Sequence, residues 1–216
     1  MKVTCIICAW RESCAKQFSM SNPSACPDFS RDLRIKDMPG DKGIKVLVEG
    51  PPGSGKTTLI ERLLVRLKDK NAGGFITREI REGGNRVGFK IISLDKREGI
   101  LAHIDAKGSH KAGKYTVNIA DLEGIGVDAL QRAIASDDII VIDEIGGMEL
   151  LSERFQDMVN IALESEKPLV ATIAEDGHEF IYDIKSRRDI HLLKLTHENR
   201  EEVLDELVRH MTEGKA

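Results

Sequence analysis

The stretch Ile44-Lys45-Val46-Leu47-Val48-Glu49-Gly50-Pro51-Pro52-Gly53-Ser54-Gly55-Lys56-Thr57-Thr58-Leu59-Ile60 decides how this chain is read. Its first residues are rich in β-branched and apolar side chains and read as a strand. A loop of glycine and proline follows, and Leu59, Ile60, Leu63, Leu64 and Leu67 then recur at the spacing that lays one face of a helix on a core. Strand, loop and helix in that order satisfy G-x-x-x-x-G-K-[ST] in the context the pattern requires. Glycines let such a loop wrap until successive backbone N–H groups point inward, and the helix N-terminus adds positive potential at the same place, so the loop is built for phosphate. Gly50, Pro51, Pro52, Gly53, Ser54 and Gly55 are the expected cradle. Lys56 is expected to reach the β and γ phosphates and Thr57 to place its hydroxyl on Mg²⁺, with Thr58 as a further phosphate donor in the first helical turn.

Downstream, Asp138-Ile139-Ile140-Val141-Ile142-Asp143-Glu144 is almost wholly apolar and closes on two acids. Such a run predicts a central parallel strand buried on both faces, delivering its last residues to the carboxyl edge of the sheet, where ligands of α/β folds gather. Asp143 is then the candidate to hold Mg²⁺ and Glu144 the candidate to orient or deprotonate an attacking water. The alternative for Glu144 is a structural acid paired with a nearby Lys or Arg.

Between these two strands the chain reads as a hairpin: Gly74-Phe75-Ile76-Thr77, a turn at Glu82-Gly83-Gly84-Asn85, and a return through residues 86–94. Another extended segment is expected around residues 114–119 and a short helix over 128–136. After the acidic strand come a helix with Leu151, Phe155, Met158, Val159 and Ala162 on one face, a strand over 169–173, a strand over 191–196 and a closing helix over 198–211. Strands alternating with helices predict a three-layer α/β domain with a mainly parallel central sheet, spanning residues 44–216.

The rest of the chain differs in kind. All four cysteines, Cys5, Cys8, Cys14 and Cys26, fall in the first 26 of 216 residues, and a polar, turn-rich linker leads from them to Gly43. Residues 1–43 therefore read as a small cysteine-rich segment. A Cys-x-x-Cys pair with two further thiols can complete a four-sulfur shell, and a segment poor in large apolar residues needs such a staple, so Zn²⁺ or an iron–sulfur cluster is expected there. Free thiols in a tail, or a redox-active pair, are the other readings.

Composition narrows the partners. A balance of 32 Lys and Arg against 36 Asp and Glu gives a net charge of −4, which argues against strong non-specific nucleic-acid binding. No apolar run approaches the roughly 18–20 residues that span a bilayer, and Arg11 and Glu12 break the only apolar start, so a soluble cytoplasmic protein is expected.

The phosphate loop, Gly74-Phe75-Ile76-Thr77-Arg78-Glu79, Arg86-Val87-Gly88-Phe89, Ile142-Asp143-Glu144-Ile145-Gly146, Met148-Glu149-Leu150 and Glu198-Asn199-Arg200 together resemble the P-loop nucleoside-triphosphatase family known from thermophiles and as the cancer-related nucleoside-triphosphatase. The resemblance covers about residues 44–212. It implies slow, Mg²⁺-dependent hydrolysis of ATP, GTP and other nucleoside triphosphates with broad base tolerance, on a fold akin to nucleotide kinases and RecA-like ATPases. Gly147 departs from it, standing where a lysine or proline is expected, and the cysteine-rich segment lies outside it.

In-line attack of water on the γ phosphorus calls for a further cation. Arg187 and Arg188 are lid-like candidates, with a solvated basic turn as the alternative; Arg78 and Glu79 either face substrate or form surface pairs. Asn199 and Arg200 are candidate contacts to the base, or serve only to start a helix. The six histidines show no metal-ligand spacing. Two other functions compete with hydrolysis: a kinase passing the γ phosphate to a nucleoside, nucleotide or polynucleotide, and a slow switch reading nucleotide state and N-terminal metal together.

Overall fold

The computed structural model describes residues 43–213. The proposed ligands Cys5, Cys8, Cys14 and Cys26 lie outside the described residues. The first strand, β1 (Lys45–Glu49), is buried through Val48, as its sequence requires of a strand covered on both faces. It runs between two parallel neighbours, β8 (Leu169–Ile173) and β9 (Ile190–Lys194), in a register that brings Glu49, Ile173 and Lys194 out level with one another. The acidic strand β7 (Ile139–Ile145) lies on the far side of β8, and β2 (Ala72–Glu82) lies beyond it, both parallel to β1. The phosphate loop and the acids of β7 thus emerge at one edge because parallel strands all end there.

The expected parallel sheet holds from β9 to β2, and beyond β2 the sheet becomes mixed. There the chain turns back through β3 (Asn85–Ser93), β4 (Glu98–His103), β6 (Tyr115–Val117) and β5 (Lys111–Ala112), all antiparallel, giving one nine-stranded mixed sheet in the order β5-β6-β4-β3-β2-β7-β8-β1-β9. The reason lies in β2 itself. Ala72–Phe75 pair with β7, whereas the longer, more exposed remainder carries Arg78, Glu79, Arg81 and Glu82 and can satisfy its backbone only against a hairpin partner.

Alternation along the strands sorts side chains into two cores. Val46, Val48, Ile76 and Val141 meet Leu59, Ile60 and Leu63 of α1 (Lys56–Arg66) and Val203, Leu204 and Leu207 of α5 (Arg200–Glu213). On the opposite face Phe75 meets Phe155 edge-on at 6.0 Å. Phe155 belongs to α3 (Glu153–Glu164), whose N-terminus is capped by the Ser152 hydroxyl accepting the Phe155 N–H at 3.1 Å. Helix α2 (Asp128–Ser136) matches the expected bounds; a π-helical turn, Leu122–Val127, leads into it. A seven-residue helix, α4 (Glu179–Lys185), was not expected. No described helix is long and apolar enough to cross a membrane.

Candidate active site

The phosphate loop connects β1 directly to α1. Gly53 and Gly55 adopt φ of 82° and 98°, which side-chain-bearing residues rarely reach, and this lets the loop curl over the helix N-terminus. Ser54 closes the curl with its N–H on the Pro51 carbonyl at 3.0 Å. Ser54 is 1% exposed, and its buried hydroxyl finds no hydrogen-bond partner among the described residues. A buried hydroxyl left so costs about 1–3 kcal/mol, the mark of a position shaped for an incoming acceptor.

Lys56 folds back across the loop and donates to the Gly50 carbonyl at 2.7 Å, with its ammonium 3.8 Å from a Glu144 carboxylate oxygen. Asp143 is fully buried beside it. The Thr172 hydroxyl of β8 donates to one carboxylate oxygen at 2.7 Å, the Thr77 backbone N–H of β2 approaches the other at 3.4 Å, and the Thr57 hydroxyl also bonds to this group. Burial raises the Asp143 carboxyl above its usual range; the hydroxyls, the Thr77 N–H and the Lys56 charge oppose that rise. Glu144 is raised too, first by burial, while Lys56 favours its charged form and Asp143 disfavours it.

A third acid completes the cluster, one the motifs contained but to which the sequence reading gave no task. Glu149 opens a short 3₁₀ turn (Glu149–Leu151) just after β7, is 5% exposed, and is pushed up to about 8 by burial and then by the charge of Glu144. The β7–β8 ladder slips between Ile142 and Ile145, where the chain turns toward that segment. Thr172 was missed as well. Its signal was a lone hydroxyl in the apolar run Leu169-Val170-Ala171-Thr172-Ile173, on the strand beside Asp143.

Glu149 carries a stability prediction with a definite sign. A carboxyl whose folded value exceeds its unfolded one stabilises the fold fully below the unfolded value, and loses that contribution as pH rises through the folded one, here between 4.5 and about 8. Glu149→Gln removes the penalty without changing shape. Urea unfolding near pH 9 is expected to find this variant more stable than wild type by about 3–5 kcal/mol, the gap closing by about pH 5. A gap of equal size at both pH values would contradict the assignment.

The base-contact candidates are otherwise engaged. Asn199 donates its amide to the Lys194 carbonyl and accepts the Thr196 N–H, both at 2.8 Å, fixing the turn between β9 and α5. Arg200 reaches the phosphate loop itself: Nε donates to the Ser54 carbonyl at 2.8 Å, Nη2 lies 2.7 Å from His197 Nδ1, and the guanidinium lies 3.2 Å from where a Cβ on Gly55 would stand. Two ion pairs, Arg62–Glu201 at 2.6 Å and Arg66–Asp205 at 3.9 Å, fasten α5 along α1 behind this brace. Glu49, the last residue of β1, is held by Lys185 of α4 at 2.6 Å.

The lid-like reading of Arg187 is corrected. Arg187 pairs with Glu164 and Asp189, each at 2.7 Å, where α3 has ended and β9 is about to begin. Since Ile190 stands opposite Lys45, the first residue of β1, this is the amino edge of the sheet, away from the phosphate loop. Arg78 pairs with Glu61 of α1 at 2.7 Å, and Glu79 with Arg81 and Arg86. A side chain at Gly147 would meet nothing within 4 Å, so the departure there leaves the local packing undisturbed.

A phosphate-shaped loop, a buried carboxylate clamped by two hydroxyls and a partly exposed carboxylate facing a lysine stand together at one strand edge, an arrangement able to take a polyphosphate with a divalent cation. Comparison with known proteins points the same way. The profile of the NTPase family matches residues 45–208. Nucleoside-triphosphatase THEP1 of Thermotoga sp. (strain RQ2) is 50% identical over 165 residues, covering 76% of this chain and 94% of the relative. Among solved structures, THEP1 from Aquifex aeolicus superposes with a TM-score of 0.73 at 34% identity, covering 78% of this chain and 99% of that one. A human cancer-related nucleoside triphosphatase follows at 0.69 and 30%, covering 81% and 100%. With its phosphate loop, its Asp143–Glu144 strand end and near-complete coverage of these relatives, the chain belongs to the nucleoside-triphosphatase family.

Proposed function

We propose that this chain is a hydrolase that splits nucleoside triphosphates, ATP and GTP among them, into the diphosphate and phosphate with the help of Mg²⁺. The observation that carries the reading is the convergence of three charges at one strand edge: Lys56 lies 3.8 Å from Glu144, and Asp143 stands buried next to both.

The residues fit Mg²⁺. A fully buried carboxylate is costly to ionise unless a cation meets it, and Thr172 and Thr57 already orient its oxygens. Among the described residues no three His, Cys, Asp or Glu side chains gather to hold a metal. Mg²⁺ commonly takes one or two protein ligands and fills its shell with phosphate oxygens and water. Thr57 and Asp143 are the residues to hold it, and when bound it supplies neutralising charge at the β and γ phosphates.

The chain's own groups do the rest. Loop N–H groups and the Ser54 hydroxyl grip the phosphates, and Lys56 exchanges the Gly50 carbonyl for a γ oxygen. Glu144 aligns a water and takes its proton as the oxygen bonds to the γ phosphorus. The bond to the β–γ bridging oxygen breaks, and diphosphate and phosphate depart. Arg200 acts from behind by holding Ser54 and Gly55 in place. Arg200→Ala is expected to raise KM for ATP about tenfold, the worth of one charged hydrogen bond, with a smaller effect on kcat. An unchanged KM in steady-state kinetics would remove Arg200 from the site.

The kinase alternative gains no support from the relatives, and a net charge of −4 favours free nucleotides over polynucleotides as ligands. A cytoplasmic address, where nucleoside triphosphates abound, fits the same reading. The deciding assay is phosphate release from ATP and GTP with Mg²⁺, with and without nucleosides and nucleotides as acceptors. Release that needs no acceptor is expected; label appearing on an acceptor instead would overturn hydrolysis.

A further inference from the structure

Gly146 occupies a narrow position. A Cβ built on it would lie 3.2 Å from Oε1 of Glu144, 3.2 Å from Oε2 of Glu149 and 3.5 Å from Cγ of Glu144. One oxygen of each carboxyl group therefore lies close to the same point beside Gly146, near enough for one bridging water to join them. Nothing in the turn lets Glu149 drift. The Leu150 N–H bonds to the Gly146 carbonyl at 3.0 Å and the Ser152 N–H to the Glu149 carbonyl at 3.1 Å. Gln156 holds the Leu150 carbonyl at 2.8 Å, and Leu150 itself is buried. Glu144, by contrast, is partly exposed and has Lys56 on one side only.

We infer that Glu149 is a positioning residue for hydrolysis, its carboxyl donating across Gly146 to Glu144 and so fixing the Glu144 oxygen that addresses the attacking water. The inference rests on the reading of Glu144 as the base. A rigid donor on one side and Lys56 on the other leave the Glu144 carboxylate one orientation, which is what catalysis by a placed base demands. Burial supports the donor role: it keeps the proton on Glu149 near neutral pH, where an ionised acid so close to Glu144 would repel it. Glycine at position 146 follows, because even a methyl group there would press on both carboxyl groups at once.

The test compares Glu149→Gln, Glu149→Leu, Gly146→Ala and Glu144→Gln for kcat, KM and affinity for Mg·ATP, with thermal unfolding run alongside. Glu149→Leu and Gly146→Ala are each expected to lower kcat about tenfold or more while KM and affinity stay within about twofold. Glutamine, which keeps the size and an N–H donor, should recover most of what leucine loses. Wild-type kcat in both Glu149→Leu and Gly146→Ala would overturn the inference, as would glutamine failing as badly as leucine. Were Glu144→Gln itself fully active, the reading of Glu144 as base would fall first, a result distinct from either.

Discussion

Glu144→Gln should leave a protein that folds, binds Mg·ATP with near wild-type affinity and scarcely turns it over. The exchange preserves the shape of a side chain that lies 3.8 Å from Lys56, and removes only the capacity to accept a proton. General-base contributions run to about 10²–10⁴-fold, so kcat is expected to drop by about that factor while KM barely moves. Single-turnover kinetics with bound nucleotide make the measurement, since they exclude slow product release. Loss of binding in parallel with loss of rate would show instead that Glu144 is a structural partner of Lys56.

Lys56→Ala should do the opposite, damaging binding and rate together. The Lys56 charge draws both Asp143 and Glu144 toward their ionised forms, and its side chain is buried. Removing it takes away the charge that meets the γ phosphate, and kcat/KM is expected to fall about 10³-fold. The free protein also records the loss. Without that ammonium both acids rise further above their unfolded values, so the destabilisation grows as pH rises and shrinks in acid. Thermal melts of Lys56→Ala and wild type near pH 5 and pH 9 would expose a constant difference, if there were one, and so dispose of this account.

What the chain announced and what it concealed divide along physical lines. The phosphate loop and the buried acidic strand were legible because each is a contiguous run whose pattern has few other uses. Strand β4 was missed because Glu98-Gly99-Ile100-Leu101-Ala102-His103 is short and, with a bulge opposite Phe89 and Lys90, does not keep strict alternation. Helix α4 is too short to show a helical period. The direction of the strands past β2 depends on pairing partners far along the chain, which composition does not encode. Arg187 and Arg200 teach the same lesson from opposite sides. Each is an arginine near a strand of the same sheet, yet β9 begins beside one and ends beside the other, so the first faces away from the site and the second supports it.

The brace between Arg200 and Ser54 spans 146 positions of sequence, and the core beneath the loop draws on Val203, Leu204 and Leu207 from the same late helix. During synthesis the loop residues leave the ribosome long before the helix that steadies them, at a pace of about 5–20 residues per second. A nascent chain carrying the whole catalytic motif is therefore still without an organised phosphate cradle. Competence to consume triphosphate arrives in one step, when α5 emerges and docks and the first and last parts of the domain meet.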